Sequence, residues 1–66
     1  MWGLEEIQAM NTATGIVEER YPGHVQDVKI PERRIYVFRD YGNEMQSLVA
    51  VYNWGTGKWE DGKGDR

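Results

Sequence analysis

Apolar residues recur at three- and four-residue steps through the first third of the chain. Ile7, Met10, Ala13, Val17 and Tyr21 fall on one stripe, which also carries Gly3 and Thr14, while Glu5, Gln8, Thr12 and Glu19 point the other way. This spacing predicts an amphipathic α-helix over residues 3–20. Glu5 and Glu6 in its first turn complement the positive end of the helix dipole. Gly15 interrupts the stripe at a cost of about 1 kcal/mol relative to alanine. Two endings follow: a helix that runs on to near Arg20, or a shorter one capped at Gly15 with Ile16–Tyr21 extended. Val17 continues the stripe, which favours the longer helix.

Beyond Tyr21 the pattern changes. Tyr21-Pro22-Gly23-His24 suits a type II turn, with proline at its second position and glycine supplying the positive φ at its third. Val25–Ile30 reads as a short strand closed by Pro31. Ile35–Asp40 and Met45–Trp54 are dense in β-branched and aromatic residues and predict two further strands, joined by a tight turn at Gly42-Asn43. In Trp54-Gly55-Thr56-Gly57-Lys58-Trp59 a two-residue turn at Thr56-Gly57 would set Trp54 across from Trp59. That spacing resembles the designed tryptophan-zipper hairpins, and the resemblance implies a local hairpin and nothing about function. The expected fold class is α+β: one N-terminal helix packed on a three- to four-stranded antiparallel meander. Residues 1–61 form a single domain in this reading, and 62–66 a disordered polar tail.

Composition changes the picture at two points. A chain of 66 residues buries only about 60% of the surface its unfolded form exposes, so stability is marginal without help. It has no cysteine and a single histidine, His24, so disulfides and thiolate metal sites are excluded, and oligomerisation is the aid that remains. The hydrophobic fraction of 39%, with 12% aromatics, is too rich for a disordered chain. No apolar run approaches the roughly 18 residues of a membrane span, which makes the cytoplasm the default compartment. The net charge of −3, from 11 acidic and 8 basic residues, argues against a general nucleic-acid binder. The acids come as scattered pairs (Glu5/Glu6, Glu18/Glu19, Glu60/Asp61), the ordinary look of a solvated surface.

Candidate chemistry is sparse. Gly55-Thr56-Gly57-Lys58 lacks the spacing and the following helix of a phosphate loop. Asp61-Gly62-Lys63-Gly64-Asp65 lacks the third early oxygen ligand and the closing glutamate of a calcium loop. Ser47 is the only serine, lies within a predicted strand and has no nucleophile-elbow glycines around it. His24 beside Pro22-Gly23 reads as a solvated loop residue. No enzyme, metal or cofactor is expected.

The leftover surface carries the functional expectation. Ile35 and Val37 face one way along their strand, Tyr36 and Phe38 the other; in the next strand Leu48, Ala50, Tyr52 and Trp54 oppose Val49 and Val51. Both faces of this hairpin are apolar in either register, and one helix covers only one. Which face it covers is open at this stage. The uncovered face is expected to bind protein, with Tyr36, Phe38, Leu48, Tyr52, Trp54, Trp59 and Arg39 as interface candidates. The expected partners are a second copy of the chain, as a homodimer, and an unidentified larger protein. The alternative is a single-stranded nucleic-acid binder that stacks bases on Tyr36, Phe38, Tyr52 and Trp54 and holds phosphates with Arg33, Arg34 and Arg39.

Overall fold

The computed structural model describes residues 3–42 and 45–60. Helix α1 spans Leu4–Arg20 and is followed by strands β1 (Val25–Lys29), β2 (Arg34–Gly42), β3 (Met45–Asn53) and β4 (Lys58–Glu60). The strands form one antiparallel sheet in the order β1-β2-β3-β4. The α+β meander expected from the pattern is the fold observed.

The helix runs through Gly15 because its two best-buried residues lie on either side of it. Ala13 and Val17 are 1% and 0% exposed. Burying a valine side chain contributes about 1.5–3 kcal/mol, more than the roughly 1 kcal/mol that a helical glycine costs. A carbonyl–amide bond of 2.7 Å from the Tyr21 N–H to Val17 O closes the last turn. The chain then reverses through Pro22-Gly23, where Gly23 has φ 78° and the His24 N–H donates to Tyr21 O at 3.3 Å. That is the type II geometry the dipeptide encodes.

The helix covers the sheet face bearing Ile35 and Val37 on β2 and Ala50 and Tyr52 on β3, which with Ala13 and Val17 make the core. Tyr21, Val28, Trp54 and Trp59 pack around its margin on the same side. Gln26 of β1 also faces the helix, its Nε2 donating to Thr14 O at 3.3 Å. The apolar stripe is best buried toward its C-terminal half, at Ala13 and Val17, while Ile7 is 39% exposed; Leu4 and Ile16, off the stripe, are exposed as well.

Two register shifts interrupt β2–β3, between Val37 and Phe38 and between Asp40 and Gly42. Val37 pairs with Ala50 but Phe38 pairs with Leu48, so Val49 is an inserted residue. The insertion breaks the alternation expected for β3. Leu48 leaves the face of Ala50 and Tyr52 and joins Phe38 on the opposite one. The pairing continues to Gly42 and Met45, so the connection is 43–44 rather than Gly42-Asn43; residues 43–44 lie outside the described residues, as does the expected tail at 62–66.

The β3–β4 hairpin also differs from expectation. Asn53 pairs with Lys58 and Tyr52 with Trp59, which leaves a four-residue loop, Trp54 to Gly57, instead of a two-residue turn. Trp54 is therefore not the cross-strand partner of Trp59. The loop is organised by Asn53, whose Oδ1 accepts from the Gly55 N–H at 2.8 Å and the Thr56 N–H at 3.2 Å. Gly57, at φ 75°, donates its N–H to Asn53 O at 2.8 Å.

Candidate interaction surface

Strand register fixes what the uncovered face carries. Across β1, β2 and β3, Val25, Phe38 and Leu48 lie side by side at one end. The next row is Asp27, Tyr36, Val51 and Glu60, and the last is Lys29, Arg34, Asn53 and Lys58. Val25, Phe38, Leu48 and Tyr36 are half-buried without a covering element among the described residues. Beyond the apolar row the same face continues to the exposed pair Asp40 and Gln46, and the hairpin end exposes Tyr41 (58%) and Met45 (63%). The apolar row thus lies between this polar pair and the charged rows of Asp27, Glu60, Lys29, Arg34 and Lys58.

Within the charged rows, Arg34, Asn53 and Glu60 satisfy one another. Arg34 grips Glu60 with two donors, Nε to Oε1 at 2.9 Å and a terminal guanidinium nitrogen to Oε2 at 3.3 Å. Asn53 Nδ2 donates to Glu60 Oε2 at 2.9 Å. These hydrogen bonds, from Arg34 first and Asn53 second, hold the Glu60 carboxyl below its ordinary range. Tyr36 donates its hydroxyl to Glu32 Oε1 at 3.0 Å, and losing that bond on ionisation raises its pKa. Asn53 is 8% exposed, the buried polar residue on which the hairpin loop and this network both depend.

The interface candidates divide between two surfaces. Tyr36, Phe38 and Leu48 share the uncovered face, whereas Tyr52, Trp54 and Trp59 lie on the helix side. Tyr52 is buried at 7% exposure, and its ring centroid lies 4.8 Å from that of Trp59. Trp59 also meets Tyr21 edge-on, with the Arg20 guanidinium 5.1 Å from its centroid. Arg39 sits toward the hairpin tip, 5.2 Å from the Tyr41 ring. The pattern missed this division because the helix-covered face becomes identifiable only once the β3 insertion is known.

Sequence reasoning also missed Glu6. It accepts from Arg33 Nε at 3.2 Å and from Trp54 Nε1 at 3.4 Å, tying the start of α1 to both loops at that end of the sheet. Arg33 takes φ 57°, unusual for a residue with a Cβ, while the Trp54 N–H donates to its carbonyl at 2.9 Å. An acid near a helix start reads as a dipole partner in sequence, and nothing in the pattern signals a tertiary contact. Two of the three arginines assigned to phosphate in the nucleic-acid alternative are thus held by carboxylates. Its four stacking aromatics are split across both faces.

Small-molecule chemistry finds little foothold among the described residues. Three shallow depressions run beside α1, past Trp54, Ile16 and Trp59, with volumes of about 250, 240 and 150 Å³. Each is smaller than the roughly 300–1,000 Å³ of a typical ligand site. His24 donates from Nδ1 to Pro22 O at 3.3 Å. Among the described residues no group of three His, Asp or Glu side chains is placed to hold a metal ion, and no helix is long and apolar enough to cross a membrane. Comparison with protein-family models, curated proteins and solved structures finds no match for this chain.

Proposed function

We propose that the chain is a non-catalytic protein–protein interaction module of the cytoplasm, a short adaptor or an inhibitor of a larger protein. The observation that carries this reading is the row Val25, Phe38 and Leu48 with neighbouring Tyr36, an apolar patch on a sheet face that no helix covers among the described residues. Patches of this kind mark protein interfaces more often than they stand idle in so small a domain. Aromatic residues at the centre with polar and charged residues on either side match the usual anatomy of such a surface. A second copy is the simplest occupant, and burying the patch would add stability to a chain with a small core. Tyr52, Trp54 and Trp59 have no part in this surface; they belong to the fold.

Protein binding is preferred over nucleic-acid binding because Arg33 and Arg34 are engaged by Glu6 and Glu60, and because the net charge is −3. The test is sedimentation equilibrium of the wild type beside Phe38→Asp, from micromolar upward. The expected result is self-association that weakens in the variant. A wild type that remains at 7.7 kDa throughout rejects the second copy as occupant. Salt-dependent quenching of tryptophan fluorescence by a single-stranded oligonucleotide would turn the reading toward nucleic acid.

A further inference from the structure

We infer that strand β1 is a second, independent contact between copies of this chain, pairing edge to edge with β1 of another copy about a two-fold axis at Val28. This extends the reading above, in which a second copy is the partner, but it uses a different surface.

β1 is an edge of the sheet, with β2 on one side and no strand on the other among the described residues. Edges are commonly guarded by charge, and Asp27 and Lys29 supply it here. Their spacing, however, makes the guard self-complementary. In an antiparallel pair, opposed residues share a face, so a two-fold axis normal to the sheet must pass through a residue and not between two. Centring on Asp27 sets two carboxylates against each other. Centring on Gln26 leaves Lys29 beyond the strand pairing. Centring on Val28 places Asp27 opposite the partner's Lys29 and Lys29 opposite the partner's Asp27. On the helix side it sets Val28 against the same residue of the partner copy and Gln26 against the partner's Ile30. Charge therefore selects one register.

Within the single chain these charges are poorly served. Among the described residues Lys29 Nζ reaches only Asp27 Oδ2, at 3.5 Å, with the two side chains 49% and 50% exposed. Its cross-strand neighbour is Arg34, a like charge, which is itself committed to Glu60. A second copy supplies Lys29 with an acid directly opposite. Val28, half-buried at the margin of the core, gains an apolar neighbour. The product is one continuous eight-stranded sheet with both helices on the same side, which leaves the open faces of the two copies adjoining and free.

The test is sedimentation equilibrium at low salt in the Phe38→Asp background, where the open face takes no part. That protein should dimerise at high concentration. Asp27→Lys and Lys29→Asp, each added singly, should abolish the dimer. Mixing the two single variants in equal amounts should restore it, because one copy then carries two bases and the other two acids. Restoration on mixing excludes a merely structural effect of either substitution. A Phe38→Asp protein that stays monomeric, or charge variants that dimerise unchanged, overturns the edge pairing. Failure of the open-face reading shows elsewhere, as equal masses for the wild type and Phe38→Asp. If Phe38→Asp does not fold, the same charge series in the wild-type background decides, by whether the single variants lose mass and the mixture regains it.

Discussion

The ring of Trp59 lies across that of Tyr52, centroids 4.8 Å apart and planes at 51°, with the two residues directly paired between β4 and β3. This contact holds the three-residue strand β4 on the sheet and closes the core beside Tyr21. A couplet in near-ultraviolet circular dichroism should therefore arise from Tyr52 and Trp59. It should disappear in Trp59→Leu and survive in Trp54→Phe. Aromatic pairs contribute about 0.5–1.5 kcal/mol beyond burial, so Trp59→Leu should also lower stability by at least about 1 kcal/mol in a melting experiment. Loss of the signal in Trp54→Phe with retention in Trp59→Leu would contradict the register.

Gly15→Ala should stabilise the protein. Apart from its chain neighbours and the backbone of its own helix, a methyl group at this position meets no atom within 4 Å, and the glycine sits inside α1. The gain is bounded by the propensity difference of about 1 kcal/mol, which corresponds to a rise of roughly 4–8 °C in Tm for a domain of this size. A thermal melt decides; an unchanged or lower Tm would mean that the helix does not run continuously through residue 15.

Asn53→Ala should be among the most damaging polar substitutions. It removes the acceptor of two loop amides and one of the donors to Glu60 together. Leaving such part-buried groups unpaired costs about 1–3 kcal/mol. Gly55→Ala should act in the same direction, since its new methyl would lie 3.1 Å from Asn53 Oδ1 and 3.3 Å from Arg33 Cδ. Denaturant titration of both variants provides the check.

These two residues mark how far the sequence could be read. Helix and strands were legible because three- and four-residue steps give way to alternation at Pro22-Gly23, and burial enforces both periods. The exact hairpin register was not, because it is set by one asparagine side chain folding back onto the loop. Nothing in residues 54–57 distinguishes a two-residue turn from a four-residue loop. The Val49 insertion was equally silent, and it moved Leu48 from one face to the other. A single inserted residue thus redistributed the candidate site while leaving the fold unchanged.

Acid should weaken the fold in part through Glu60. Its carboxyl is held below the ordinary value of 4.5 by Arg34 and Asn53 in the folded chain only. The folded pKa lies below the unfolded one, so this contribution is fully present above about pH 4.5 and is lost as pH falls through the depressed folded value. The Glu60 side chain is 41% exposed, so salt should reduce the effect. Glu60→Gln should be less stable than the wild type at neutral pH and should show a shallower loss between pH 4.5 and more acidic conditions. Identical acid limbs for the two proteins would remove Glu60 from the account.

Function should map to Tyr36 and Phe38 and leave the helix-side aromatics as purely structural residues. Phe38 stands between Val25 and Leu48 at the centre of the apolar row, where a charge cannot be accommodated by a docked partner without desolvation. Phe38→Asp and Tyr36→Asp should each weaken association by about 2 kcal/mol or more if they are hot spots, with modest change in the melting temperature. Tyr52→Asp should instead unfold the chain, since a side chain 7% exposed within the core would bury an unpaired carboxylate. His24→Ala removes a half-buried ring that, among the described residues, bonds the nearby Pro22 carbonyl through Nδ1 and lies 5.4 Å from the Tyr21 ring, and it should leave both folding and association nearly unchanged. Association constants and melts of the four variants separate the two surfaces. If His24→Ala abolished association in a folded protein while Phe38→Asp and Tyr36→Asp bound normally, the contact would centre on the turn after α1 rather than on the open sheet.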